Sequence, residues 1–398
     1  MLFELSDKAK LIEEQILRFM DEEIYPAERV YQQQVEEGGD EHAEPPIMAE
    51  LRAKAKKAGL WNLFLPDEEW GPGISNLEYT PLCEITGRSP IAPRVFNCQA
   101  PDTGNAEILA EFGTEEQKQK WLVPLLDGEI RSCFSMTEPE VSGADPTGLK
   151  TRAVRDDDEY VINGHKWFTS GAIGAAFAIA MVVTDPDAAP HARMSQIIVP
   201  TDTPGFDIVR PVSVMGHTGG GGHCEIRYED CRVPTSNLLG PENAGFMIAQ
   251  ARLGPGRIHH CMRAIGMAER GFEEMCRYVN NRVAFGGPLS EKQFVQDFVA
   301  TSRMEIDQAR LLTLYAAWKM DTYDKKEARQ EISMIKVVVP NMMQQVLDRA
   351  IQAMGALGVT DDTLVAGMWR HGRALRIADG PDEVHKMVIA RRELRRFA

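Results

Sequence analysis

The chain has 398 residues, a length that points to two or three packed units. Its net charge of -15 disfavours nonspecific binding to nucleic acid or to an anionic membrane, so an anionic ligand needs a local basic site. With 43% apolar and 26% charged residues, the composition is that of an ordinary enzyme with a large core.

The opening "MLFELSDKAKLIEEQILRFMDEEIYPAE" is too acidic for a transit peptide and lacks the apolar run of a signal peptide. No stretch of about 18 apolar residues occurs, so a cytoplasmic protein without a membrane span is expected. Up to about residue 130 the pattern is helical. Ser6 caps a helix whose apolar positions Ile12, Ile16, Phe19 and Met20 follow the helical period, and which ends before Pro26. Thr114 starts another, "GTEEQKQKWLVPLL", with acids in its first turn.

Residues 131–243 read as short strands. "TRAVRDDDEYVINGHKWFTSG" alternates, turns at Asp156–Asp158 and turns again at the hairpin signal Asn163-Gly164. "FAIAMVVTD", "SQIIVPTD", "FDIVRPV" and "CEIRYEDCRV" add strands, giving a β-barrel or sandwich. From residue 244 to 398 helices return. Met304, Leu311, Leu314 and Trp318 form one stripe, and Ile332, Ile335, Val339, Met343 and Val346 another. Four segments, broken near 286–290, 322–327 and 357–362, predict a four-helix bundle, with Pro340 kinking or breaking the third. The stripes are wider than one bundle interior needs, which implies burial by a partner subunit. The fold class is therefore α+β and multidomain: helices over 1–130, a β domain over 131–243 and a bundle over 244–398.

Seven cysteines, at 83, 98, 133, 224, 231, 261 and 276, contain no CxxC pair and read as free thiols. His217, His223 and Cys224 in "HTGGGGHC" are of metal-ligating type, but no second cluster stands at zinc-like spacing, and no metal is expected. Neither a GxGxxG after a strand nor a GxxxxGK[ST] is present, and "HTGGGG" reads as a loop joining two strands. The segment 133–154, "CFSMTEPEVSGADPTGLKTRAV", and 163–172, "NGHKWFTSGA", are rich in hydroxyls. Trp167 and Thr169, two apart, fall on one face of a strand. Such loops suit a flat heteroaromatic cofactor or phosphates, but taken alone they read first as a barrel edge with a core tryptophan.

Near the C-terminus, "RIADGPDEVHKMVIARREL" sets three carboxylates close together. Asp382 and Glu383 fall in the first turn of a helix starting near Pro381, where carboxylates complement the helix dipole. Asp379 lies before that helix, beside Gly380, and no structural need explains its charge.

The segments "SMTEPEVSGAD", "INGHKWFTSGA", "NRVAFGGPLSEKQ" and "RIADGPDEVHKMVIARREL" resemble, in order and spacing, those of the acyl-CoA dehydrogenase family, over essentially the whole chain. "LGPGRIHHCMR" and "ADGPDEVH" resemble the branch whose larger eukaryotic members are fused to a phosphotransferase-like kinase domain. The resemblance implies noncovalent FAD. Met136 and Thr137 would border the flavin ring, Ser142 the pyrophosphate, Trp167 would cover the ring, and Thr169 would reach its N5 edge. Arg282, Phe285 and Gln293, and then Gln352 and Gly355, would serve a neighbouring subunit's FAD in a homodimer or homotetramer. Two departures from the family pattern stand out. The phosphate loop carries an extra residue, with Ala144 where relatives have serine, and Pro381 replaces a threonine.

The implied substrate is an acyl-CoA thioester, oxidised to the trans-2-enoyl thioester, with electrons passing to an electron-transferring flavoprotein. The implied base is Asp379, one methylene shorter than the family's usual glutamate; the earlier helix stretch "LGPGRIHH", where some branches carry their base, has no carboxylate. The enolate oxygen would be met by the base residue's own backbone amide and a flavin ribityl hydroxyl. Arg257 matches an arginine that orients this region. With His259 and His260 it either forms a polar helix surface or binds a hydroxylated or anionic acyl chain, since kinase-linked relatives handle 4-hydroxyacyl thioesters through phosphorylation. Other readings are an oxygen-reactive oxidase, such as the nitroalkane oxidase branch with its aspartate, or a noncatalytic acyl-CoA-binding protein.

Overall fold

The computed structural model describes residues 3–40, 42–216, 220–323 and 326–398. Its longer helices are α1 (Asp7–Phe19), α2 (Tyr25–Gly38), α3 (Pro46–Lys57), α4 (Asn76–Gly87), α5 (Asp102–Phe112), α6 (Gly245–Asn281), α7 (Gln293–Thr322), α8 (Arg329–Met354), α9 (Leu364–Leu375) and α10 (Asp382–Arg395). The strands are β1 (Ser132–Ser135), β2 (Arg152–Asp156), β3 (Glu159–Ser170), β4 (Phe177–Val183), β5 (Met194–Pro200), β6 (Phe206–Pro211), β7 (His223–Pro234) and β8 (Leu238–Leu239). Two compact units result, one from Met1–Tyr25, Ile74–Pro93 and Arg257–Ala398, the other from Pro26–Gly73 and Arg94–Gly256. Among the described residues no helix is long and apolar enough to cross a membrane.

The first unit is helical and built on α8. Ile332, Ile335, Val339, Met343 and Val346 are all buried, as their spacing predicts, with α7, α9 and α10 packed on them. Three expectations are corrected. First, of the kink or break expected at Pro340, the break does not occur, and α8 runs through it. Second, the last predicted segment divides at Arg376–Pro381 into α9 and α10, because a left-handed residue there turns the chain. Third, Met304 and Leu311 on α7 are exposed, while Ser302, Ile306, Ala309, Thr313 and Ala316 face inward. Small side chains on that face let α7 approach its neighbours closely, and the larger apolar ones fall out of phase with the contact.

α4 and α6 cross with almost no space between backbones. A Cβ on Gly266 would lie 2.1 Å from the Glu84 carbonyl oxygen, and one on Gly87 would lie 2.4 Å from Arg263 Cα. Glycine is required at both points of this crossing. Arg310 braces the same region, donating to Glu84 at 2.8 Å and to Glu269 at 2.7 Å. At the N-terminus Ser6 caps α1, accepting from the Ala9 N–H at 3.2 Å. The expected stop before Pro26 does not occur. A π-type turn, Met20–Ile24, carries the chain into α2, near whose start Pro26 sits.

The second unit carries one eight-stranded sheet in the order β6-β7-β3-β2-β4-β5-β8, with β1 alongside β4 in parallel. β2 and β3 form the hairpin expected at Asp156–Asp158, turning on left-handed Asp157. Asn163-Gly164 is not a turn: β3 runs straight through it. A Cβ on Gly164 would come 2.4 Å from Thr151 Oγ1, so glycine serves close packing there. Asn163 instead closes a bulge in β7, donating to Asp230 Oδ1 at 3.0 Å and accepting from the Asp230 N–H at 2.8 Å. A second bulge, at left-handed Phe168, lies in β3 between Lys166 and Thr169. It breaks the alternation, so Thr169 shares the buried face of Lys166 and not the face of Trp167, against the two-apart expectation.

Replacing Gly266 by alanine forces the α4–α6 backbones apart. Denaturant unfolding is expected to show a loss of about 1–3 kcal/mol, and an unchanged midpoint would mean that the crossing can relax.

Candidate active site

The short connection between α9 and α10 holds Asp379 in the left-handed region (φ 56°), followed by Gly380 at φ 102°. A non-glycine residue there is uncommon and needs outside support. Two side chains supply it by meeting its carbonyl oxygen: Arg257 Nε donates at 3.0 Å, and His385 Nε2 lies at 3.2 Å. The carboxylate itself is met by His260, whose Nε2 stands 3.2 Å from Oδ2. Arg263, one helical turn on from His260, donates from Nη2 to His260 Nδ1 at 3.1 Å. Just upstream, Lys336 reaches out of the apolar stripe of α8 and donates to the carbonyls of Leu375 (2.7 Å) and Ala378 (2.8 Å), closing the C-terminal end of α9.

The surroundings disfavour charge. Burial pulls the Arg257 guanidinium below its usual range, against the pull of the Asp379 charge. Burial likewise lowers Lys336 and His260, His260 in spite of its bond to Asp379. Burial, with the nearby charges of Arg257 and Lys336, brings His385 down to about 4, and burial pushes the Cys261 thiol up to about 12. His259 lies well below the usual histidine range because it is buried and faces Arg263 and His260. Its ring meets Tyr79 edge-on at 4.9 Å, and neither ring nitrogen has a hydrogen-bond partner among the described residues.

The three clustered carboxylates have separated. Asp382 is buried and paired with Arg376 at 2.9 Å and Asn341 at 3.0 Å, which locks the start of α10, and Glu383 faces solvent. Only Asp379 joins the histidine and arginine cluster.

In the sheet unit, the hydroxyl-rich loop is anchored by a buried ion pair. Lys166 Nζ donates to Glu138 Oε1 at 2.9 Å and to the Met136 carbonyl at 2.8 Å. The same carboxylate accepts from the N–H groups of Lys150 (2.7 Å) and Thr151 (2.9 Å). Burial works against the Glu138 charge, but Lys166 and these N–H groups hold its carboxyl below the ordinary range, while burial brings Lys166 down to about 8. Thr137 binds to β3 through its carbonyl, which accepts from the Trp167 N–H at 3.0 Å. Thr169 is buried against the Ser135 hydroxyl at 3.2 Å, and Trp167 is half-buried with Phe168 edge-on to it. Met136 is half-buried and Ser142 exposed on the same loop.

The remaining predicted residues stand apart from Asp379. Arg282, Phe285 and Gln293 are exposed around the small hairpin of Val283–Ala284 and Gly287–Pro288, with Phe285 left-handed and 95% exposed. Gln352 and left-handed Gly355 are exposed at the end of α8. Of the suggested metal ligands, His217 lies outside the described residues, and His223 bonds the Ser170 hydroxyl through Nδ1 at 2.7 Å. All seven cysteines are free thiols. Sequence reasoning missed Arg263, Lys336, His385 and the Glu138–Lys166 pair. Lys336 had a signal: a lysine in register with the buried stripe of α8.

Family models for the acyl-CoA dehydrogenase N-terminal, middle and C-terminal domains match residues 6–129, 133–231 and 243–394. The Mycobacterium tuberculosis protein named "Probable acyl-CoA dehydrogenase FadE2" is 54% identical over 398 residues, 99% of this chain and 97% of that one. Acyl-CoA dehydrogenase family member 10 of Mus musculus is 48% identical over 98% of this chain, which spans 37% of that relative's length. A solved chain from Mycobacterium abscessus superposes with a TM-score of 0.96 at 46% identity, with both chains fully covered.

Two outcomes check this geometry. Lys166→Met leaves Glu138 buried without its cation and is expected to cost about 3–5 kcal/mol in unfolding experiments. His385 stays neutral in the folded state down to about 4, whereas the unfolded chain takes up its proton near the ordinary value of 6.5. Its contribution is therefore intact above that ordinary value and is lost as pH falls through the window, on the order of 3 kcal/mol in all. His385→Gln should flatten that part of a stability-versus-pH curve, and an unaltered curve would show that His385 does not carry it.

Proposed function

The chain belongs to the acyl-CoA dehydrogenase family, and we propose that Asp379 is the base with which it oxidises an acyl-CoA thioester to the trans-2-enoyl thioester. The enzyme is an FAD-dependent oxidoreductase. The sheet unit's loop fits such a group: the Thr137 and Ser142 hydroxyls have no intramolecular bond among the described residues, and an indole lies half-open beside them. Glu138, the carboxylate that would repel a pyrophosphate, is turned inward and neutralised by Lys166. FAD, when bound, supplies the electron sink that takes the β-hydrogen with its electron pair. In this reading Met136, Thr137, Ser142 and Trp167 hold and orient it, whereas Thr169 is fully buried against Ser135 on the opposite face.

The observation that carries the proposal is the anchoring of Asp379. Its carbonyl is gripped by Arg257 and His385 and its carboxylate is bonded by His260, so a single carboxylate is presented in one orientation. Asp379 takes the substrate's α-proton, and the fixed loop spares the reorganisation that a free side chain would need. Arg257 and His260 are then occupied in holding the base. A hydroxylated or phosphorylated acyl chain is the finer substrate reading, supported by the two unsatisfied ring nitrogens of His259.

An electron-transferring flavoprotein is the proposed acceptor. The protein would work as a homodimer or homotetramer, with Arg282, Phe285, Gln293, Gln352 and Gly355 serving a neighbouring subunit's FAD. The exposure of Phe285, Phe294, Met304 and Leu311 supports this assembly. The free thiols suit the reducing cytoplasm.

Anaerobic titration of the FAD-loaded protein with a panel of plain and 4-hydroxylated acyl-CoAs, following flavin bleaching, tests the proposal. Bleaching is expected with wild type, and Asp379→Asn should slow it by about 10²–10⁴-fold. An Asp379→Asn protein that bleaches at the wild-type rate would refute the base assignment. Peroxide formed in air without an added acceptor would point to an oxidase instead.

A further inference from the structure

We propose that His260 is a positioning residue for the carboxylate: Arg263 fixes its tautomer, and His260 in turn donates one hydrogen bond to Asp379, holding it as an anion in one rotamer. This rests on the reading of Asp379 as the base.

A guanidinium can only donate, so the 3.1 Å contact from Arg263 Nη2 requires a lone pair on His260 Nδ1. The ring proton of the neutral imidazole must then be on Nε2, which points at Asp379 Oδ2 from 3.2 Å. A second ring proton would set an N–H against the guanidinium N–H. The spacing of three along α6 puts both side chains on one face. Arg263 is itself held in place: it is buried where α6 crosses α4 at Gly87, with Cys83 Sγ 3.9 Å from its Nη1.

The charged and titratable groups around this pair come from each element packed on it. α6 brings Arg257, His259, Cys261 and Arg263, α4 brings Tyr79 and Cys83, α8 brings Lys336, and α10 brings Asp382 and His385. The charges of Arg263 and Lys336 add to burial in keeping the imidazole neutral. A neutral donor stabilises the carboxylate without adding a charge that would have to be neutralised when the substrate proton arrives.

The test compares pH profiles of kcat/KM for anaerobic flavin reduction by an acyl-CoA in wild type, His260→Leu and His260→Gln holoenzymes. His260→Leu removes the donor, and its acid limb should move to higher pH by roughly one pH unit. The side-chain amide of His260→Gln can replace the Nε2–H, so its limb should return to within a few tenths of a pH unit of wild type. If the His260→Leu limb coincides with that of wild type while Asp379→Asn is inactive, the inference is wrong and the base assignment stands. If Asp379→Asn remains active, the premise itself is gone. Should His260→Leu fail to fold, ¹⁵N-histidine NMR of the wild-type protein decides, with His260→Gln identifying the signal. The neutral Nε2–H tautomer is expected at pH 7, and an Nδ1–H or imidazolium signal there overturns the inference.

Discussion

One backbone carbonyl organises the helical unit's chemistry. The oxygen of Asp379 receives Arg257 from α6 and His385 from α10, so two helices meet through the residue whose side chain they present. The left-handed backbone of Asp379 costs on the order of 1–2 kcal/mol relative to ordinary conformations. Two bonds to its carbonyl, one from a guanidinium, are enough to hold that geometry. Loosening either one would move the carboxylate, because only the C–Cα, Cα–Cβ and Cβ–Cγ bonds separate the gripped carbonyl from the carboxyl group.

Buried cations complete backbone ends in both units. Lys336 satisfies two carbonyls where α9 stops, and Lys166 satisfies the Met136 carbonyl where the hydroxyl loop leaves β1. In each case a loop that would otherwise strand polar groups in the interior is fixed by one long side chain from the packed element beneath it. Rigid elements thus determine where loop residues point.

Much of this was readable in the sequence, because much of it is periodic. The stripe of α8, the apolar runs of β4 and β5 and the Ser6 and Thr114 caps depend on neighbours within a few positions. Asp379 could be told from Asp382 and Glu383 because helix starts explain carboxylates and the residue before one does not. The misses share a cause, which is dependence on distant partners. Asn163-Gly164 has the composition of a turn, yet its role is set by Asp230 and Thr151. Lys166, Lys336 and Arg263 have the charge of surface residues, and only long-range packing supplies the groups that make their burial tolerable. Met304 and Leu311 of the α7 stripe lie outside the core of their own chain, because apolar periodicity does not say whether a face packs on its own chain.

The two bulges between β3 and β7 have opposite sense. The pairing is offset by one residue from Gly164 to Lys166, and after the extra residue at Phe168 it returns to the frame it had before Ile162. The outer stretches of both strands are therefore insensitive to what lies between the bulges. His165 and Lys166, which tie down Glu140 and Glu138, occupy a self-contained insert within the ladder. Such an insert can be exchanged as a block, bulge to bulge, with the rest of the sheet keeping its partners.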